Sequence, residues 1–82
     1  MIRKTLEFKN RKFVEDIYAV VGSDSSLRDI AAKTDVSAST LSRIQSGRDP
    51  DMKTFLTLCQ ALELDPSAYF GWYKWRVEPI ED

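Results

Sequence analysis

Between Ser26 and Gly47 the chain carries two short apolar stripes of helical period, joined by only three residues, Asp35-Val36-Ser37. Leu27, Ile30, Ala31 and Thr34 form the inward face of the first, which predicts a helix over Leu27 to Thr34. Leu41 and Ile44 face inward with Val36 in the second, predicted over Ala38 to Ser46. Each has its own start signal. Ser26 followed by Asp29 approximates a capping box, Ser37 is a good N-cap, and Gly47 stops the second helix. A three-residue connection is too tight for an antiparallel hairpin of long helices. It suits two short helices at a steep angle, the first resting on the core and bracing the second. The second then turns Ala38, Ser39, Ser42 and Arg43 outward, a small polar face that lets its backbone approach another surface closely.

The flanks supply the rest of the core. Phe13, Ile17, Val20 and Val21 fall on one stripe and predict a first helix over about Asn10 to Val21, closed by Gly22. Leu6 and Phe8 precede it and are expected to fold back onto the core. Asp49-Pro50-Asp51 is a turn into a fourth helix with Asp51 as cap and Met52, Phe55, Leu56, Cys59 and Leu62 as its stripe. Asp65-Pro66 starts a fifth, with Pro at the first helical position and Ala68, Tyr69 and Phe70 within it. The expected fold is therefore all-α, a compact five-helix domain over residues 1–70, followed by an aromatic and acidic C-terminal extension over 71–82.

With 82 residues the chain has room for one domain. It has no histidine, which removes the usual acid–base group near neutral pH and the commonest metal ligand. No carboxylate pair, nucleophile–base set or phosphate loop is visible, so neither catalysis nor a metal or cofactor is expected. The one cysteine, Cys59, lies on the buried stripe of the fourth helix and reads as a small core hydrophobe. No signal peptide or membrane span is read, and a reducing, cytoplasmic setting is expected. The net charge of −1 argues against a nucleic-acid partner until its distribution is considered. Met1 to Gly22 holds five Lys/Arg against three Asp/Glu, whereas Pro50 to Asp82 holds three against six. The acidity is concentrated at the end, leaving room for a locally basic face.

The stretch Ser26 to Phe70 resembles the Cro/CI-type, XRE-like helix-turn-helix family, to which the phage repressors belong. Ile30-Ala31, Val36-Ser37, Leu41, Arg43, Ile44, Gly47, Pro50, Phe55, Leu58 and Leu62 carry the match at the right spacings. Leu27 stands where many members have a phosphate-holding Gln, Asp35 replaces the common Gly of the turn, Gln45 replaces a frequent Glu and Glu63 a frequent Gly.

The resemblance implies a lambda-repressor-like domain whose third helix enters the major groove of double-stranded DNA. Ala38, Ser39, Ser42 and Arg43 are then the base readers. Arg43 is the strongest, because its fork can bond O6 and N7 of guanine together. Ser26, Ser37, Thr40, Arg48, Lys53 and Thr54 are the phosphate contacts, with Lys9, Arg11 and Lys12 as additions from the first helix. The expected function is that of a repressor on operator DNA, in a bacterial or phage-infected bacterial cell. The rival readings are an antitoxin-type regulator and a protein-interaction module.

The C-terminal segment decides between partners. Tyr69, Phe70, Trp72, Tyr73 and Trp75 are five of the nine aromatics within seven positions. Tyr73, Trp75 and Val77 alternate with charged residues as in a strand, whereas Tyr69, Trp72, Tyr73 and Arg76 fit a helix equally well. The segment either covers the domain's own core or forms a homodimer interface through Tyr69, Trp72, Tyr73 and Trp75; a protein partner is the alternative occupant.

Overall fold

A computed structural model describes residues 2–77 in backbone and the side chains of residues 7–71. Four α-helices follow a short N-terminal strand: β1 Ile2–Phe8, α1 Asn10–Val21, α2 Leu27–Thr34, α3 Ala38–Gln45 and α4 Met52–Leu62. A one-turn 3₁₀ helix, Pro66–Tyr69, leads into β2, Phe70–Val77.

α2, α3 and α4 each start where a side chain satisfies one of the first N–H groups, whereas α1 starts on Lys9 with no side-chain cap. The Ser26 hydroxyl accepts from the Asp29 N–H while the Asp29 carboxylate accepts from the Ser26 N–H, a complete capping box on α2. Ser37 accepts from the Thr40 N–H, and Asp51 from the Thr54 N–H at 2.7 Å. Asp65 caps the 3₁₀ turn with Pro66 at its first position. Thr34 is buried at the end of α2, where its hydroxyl donates to the Ile30 carbonyl within the helix at 2.7 Å and accepts from the Val36 N–H of the turn at 3.4 Å. α2 and α4 both end on a left-handed residue that is not glycine, Asp35 at φ 61° and Glu63 at φ 56°.

Phe13, Ile17, Ile30, Val36, Leu41, Ile44, Phe55, Leu58, Cys59 and Leu62 form the buried core. At roughly 25 cal/mol per Å² of apolar surface removed from water, this burial is the main force holding the helices together. Two expected inward residues of α4 face out instead: Met52 is 62% and Leu56 46% exposed, and Leu58 takes the inward place. Val20 on α1 is likewise exposed. In short helices wrapped by three neighbours, the residues at the edge of the apolar stripe have nothing to pack against.

The all-α, five-helix expectation is corrected in two places. The predicted fifth helix is a single 3₁₀ turn that ends at Tyr69, because the chain extends at Phe70 (φ −120°, ψ 140°). From there β2 runs antiparallel to β1, pairing Phe8 with Phe70, Leu6 with Trp72 and Ile2 with Val77. The register shifts between Arg3 and Thr5, where β2 places two residues, Lys74 and Trp75, against Lys4 alone. The strand alternative for the C-terminal segment is thus the one adopted, and β2 runs across the division expected at residue 70. The fold is also less compact than expected. Its radius of gyration is 15.2 Å, against about 12 Å for a compact domain of this length.

The ribbon is anchored at its base. The Lys9 N–H donates to the Tyr69 carbonyl at 2.7 Å. Phe8 meets Phe13, Phe55 and Phe70 with ring centroids 5.3–5.6 Å apart, so Phe8 does return to the core. Tyr69 packs edge-on to Phe13 at 4.9 Å.

Candidate nucleic-acid interface

Leu41 and Ile44 are 4% and 2% exposed, which fixes the rotation of α3. Ser39, Ser42 and Arg43 consequently lie exposed on its other side, with Ala38 half-buried beside them. α3 is pinned from behind at both ends. Val36 is buried at its start. At its finish the side-chain amide of Asn10, on α1, donates to the carbonyls of Ile44 and Arg48, both at 3.1 Å. The Ile44 carbonyl also accepts from the Gly47 N–H at 3.0 Å, and the Arg48 carbonyl belongs to the loop past the end of α3. Tyr18 adds a third tie, its hydroxyl donating to the Gln45 side-chain oxygen at 3.2 Å.

A chain of hydroxyls runs along the start of α3. Ser37 donates to Thr40 Oγ1 at 2.9 Å, and Arg43 Nη2 donates to the same oxygen at 3.3 Å. The second contact is long for a hydrogen bond, and a guanidinium has five N–H donors. Arg43 is thus lightly tethered one turn back along α3, with most of its fork turned to solvent.

An open cleft of about 300 Å³ lies between α3 and the start of α4. It brings together four expected contact residues, Thr40, Arg43, Arg48 and Thr54. Asp49 and Asp51 share its wall. Asp51 is spent on capping α4, and the bond from the Thr54 N–H holds its carboxyl below the usual range. Ser26, Ser37 and Lys53 are exposed but do not line this cleft. At the start of α2, the Asp29 carboxyl is held below its ordinary value by the Ser26 N–H and hydroxyl. An anion therefore already stands at this helix end, and a phosphate there would meet repulsion.

Tyr69 is not available as an interface residue within the protomer. It is 2% exposed, and its hydroxyl donates to Asp16 Oδ2 at 2.8 Å. Its ring fills the space between Phe13 and Phe55, so the core claims it. Trp72, Tyr73 and Trp75 fall on β2, and their side chains lie outside the described residues. Cys59 is buried on α4, where loss of solvent pushes its thiol upward.

Asn10 is the positioning residue that the sequence reading passed over. Its two acceptors lie 34 and 38 residues away, and an Asn at a helix start carries no local sign of such a reach.

Among the described residues no helix is long and apolar enough to cross a membrane. No curated protein and no solved structure matches the chain. A family model described as helix-turn-helix matches residues 24–68, more than half of the chain, from the loop before α2 into the 3₁₀ turn. The chain belongs to the helix-turn-helix family, of the Cro/CI or XRE-like type, whose domain binds DNA in transcription regulation.

Proposed function

We propose that this chain is a sequence-specific repressor that occupies operator DNA with α3 in the major groove. The observation that carries the reading is the exposed Ser39, Ser42 and Arg43 face of α3, opposite buried Leu41 and Ile44 and flanked by the Thr40–Arg43–Arg48–Thr54 cleft. Arg43 reads a guanine edge, worth roughly 1–3 kcal/mol of discrimination against the wrong base. The Ala38 methyl meets a thymine methyl. Ser39 and Ser42 donate or accept without strong preference, so DNA shape supplies part of the selectivity.

Ser37, Thr40, Arg48, Lys53 and Thr54 position the domain on the phosphates, and Ser26 does so more weakly because of Asp29. Repression follows from occupying DNA that polymerase needs, and the reading calls for no chemical step. The helices act as the DNA-binding unit, and β2 serves a homodimer through Trp72, Tyr73 and Trp75, which sets two α3 helices on half-sites about one DNA turn apart.

The test is random-site selection followed by fluorescence-anisotropy titration of wild type and Arg43→Ala on the selected and a random duplex, at two salt concentrations. The reading expects selective binding that falls with salt and loses about 10- to 100-fold in the variant, with the ratio between duplexes collapsing. Absence of binding to every duplex at low salt overturns it.

A further inference from the structure

The register of the ribbon sorts its residues onto two unlike faces. Phe8 and Phe70 stand opposite each other at the base and so share one face. Both are half-buried, and with Met52 they line an open groove of about 220 Å³ beside the start of α4. Leu6 and Trp72 are the next pair on that face. Ile2 follows by the same alternation along β1, and it pairs with Val77. By plain alternation from Trp72, Val77 would fall on the other face. The extra residue of the bulge opposite Lys4 brings it back. One face is therefore apolar from the core outward, and Arg3, Thr5, Tyr73 and Arg76 fall on the other.

α4 carries a second apolar surface. Met52 and Leu56 are exposed one turn apart. At about 100° per residue they form a stripe on the flank of α4 opposite Thr54. Thr54 lines the recognition cleft with Thr40, Arg43 and Arg48, so a partner on the Met52–Leu56 flank leaves that cleft and α3 open. The two surfaces are oppositely charged. The ribbon strands hold Arg3, Lys4, Lys74 and Arg76 against Glu7. Residues 49–65, which span α4 and its two ends, hold Asp49, Asp51, Glu63 and Asp65 against Lys53. The register also sets Arg3 directly opposite Arg76. Like charges so placed destabilise a strand pair, and a two-stranded ribbon is marginal by itself. An acidic, partly apolar cover relieves both costs.

We propose that the apolar face of each ribbon lies across the Met52–Leu56 flank of α4 in a second copy of the chain, so that two copies exchange their ribbons about a two-fold axis. This rests on the homodimer reading above and deepens it: the surface that receives the ribbon is α4, β1 supplies half of the inserted face through Leu6 and Ile2, and Tyr73, on the other face, is left to the rim. A second copy is the occupant because one chain carries both halves, a cationic apolar ribbon and an acid-rimmed apolar flank, as a self-complementary two-fold interface requires. Ribbon stacked on ribbon would instead bring two cationic surfaces together.

The experiment is sedimentation equilibrium of the full chain without DNA, for wild type, the Met52→Gln/Leu56→Gln double variant and Trp72→Ser, at low and high sodium chloride. Met52 and Leu56 are already exposed in the protomer, so the double variant is expected to keep the circular dichroism of wild type. It is expected to weaken the dimer by about 100-fold, the scale of losing two buried apolar side chains. Trp72→Ser is expected to weaken it similarly. The wild-type dimer is expected to weaken as salt rises, because salt screens opposite charges. A dimer that survives Met52→Gln/Leu56→Gln, or that does not weaken with salt, overturns the exchange and leaves the homodimer reading standing. A dimer lost in the α4 variant but kept in Trp72→Ser also overturns the exchange, because the ribbon is then not the inserted element. A wild type that stays monomeric at every concentration overturns both.

Discussion

The side-chain amide of Asn10, at the first position of α1, donates to the main-chain carbonyl of Ile44 near the end of α3 at 3.1 Å. The same amide donates to Arg48 at 3.1 Å, so one residue holds the last turn of the recognition helix and the loop that follows. Asn10→Ala is expected to destabilise the fold by about 1–2 kcal/mol, the net worth of two neutral hydrogen bonds. In a domain of this size that lowers Tm by about 4–8 °C for each kcal/mol. Asn10→Asp makes the sharper measurement. A carboxylate at a helix start is ordinarily favourable, but here it would face two carbonyl oxygens with no proton to offer. Calorimetry should therefore find the Asp variant no more stable than the Ala variant. A gain in stability would show that the amide bridge matters little.

Asp35 and Glu63 are the non-glycine residues described at positive φ, 61° and 56°. Left-handed backbone costs an L-residue roughly 1–2 kcal/mol, less for Asp than for Glu because a short polar side chain can bond locally. Glycine relieves that strain and returns part of it as backbone entropy in the unfolded chain. Asp35→Gly and Glu63→Gly are each expected to raise stability by about 0.5–1 kcal/mol, Glu63 more than Asp35, and roughly additively since they end different helices. Urea unfolding should show a higher midpoint at an unchanged slope. Ala at either position should lower it.

These two residues also show how far the sequence alone could be read. The helices and their caps are local objects, set by apolar spacing and by side chains within three residues. α1 and α2 accordingly fall where the spacing predicts, and α3 ends one residue earlier, at Gln45, with Ser46 as its C-cap. The Glu63 and Asp35 departures from a glycine pattern mark positions that do take positive φ. The ribbon was not legible in the same way. Ile2–Phe8 pairs with residues more than sixty positions away, and nothing within its own seven residues records the partner. The outward face of α3 was legible because burial of Leu41 and Ile44 dictates it. Tyr69 was misplaced because an aromatic cluster near a chain end looks alike whether it faces a partner or its own core. Only the packing against Phe13 and the bond to Asp16 distinguish the two.

Asp49 is the acidic residue of the recognition cleft with no capping duty, in contrast to Asp51 beside it. Its charge opposes a phosphate approaching Arg43 and Arg48, and nearby exposed charges interact by up to about 1 kcal/mol. Asp49→Asn is expected to tighten binding by a few-fold on the selected and the random duplex alike, with little change in Tm. Anisotropy titration at low salt measures both. Tighter binding to the selected duplex only would place Asp49 among the base readers instead.

Tyr69 and Asp16 couple the fold to pH at both ends of the scale. The Asp16 carboxyl is held below its usual value of 3.8 by the Lys12 ammonium, then by the Tyr69 hydroxyl. A depressed carboxyl stabilises the fold above the unfolded value and loses that contribution as pH falls through the folded one. Tyr69 is shifted the other way: burial, then the bond to Asp16 and its charge, push the phenol well above its ordinary 10.0. A raised group contributes fully below its unfolded value and loses its contribution as pH rises through the folded one. Stability should therefore fall in acid below about pH 4 and again in alkali above about pH 10. Tyr69→Phe keeps the ring and removes the hydroxyl. It should be less stable at neutral pH, with a shallower acid limb, because Asp16 retains Lys12 alone. Its alkaline limb should also be shallower, because the buried phenol that resists ionisation is gone. Urea midpoints of both proteins across the pH range test this directly. Acid and alkaline limbs parallel to those of wild type would mean that the 2.8 Å bond carries no linkage and that Tyr69 serves the core by its ring alone.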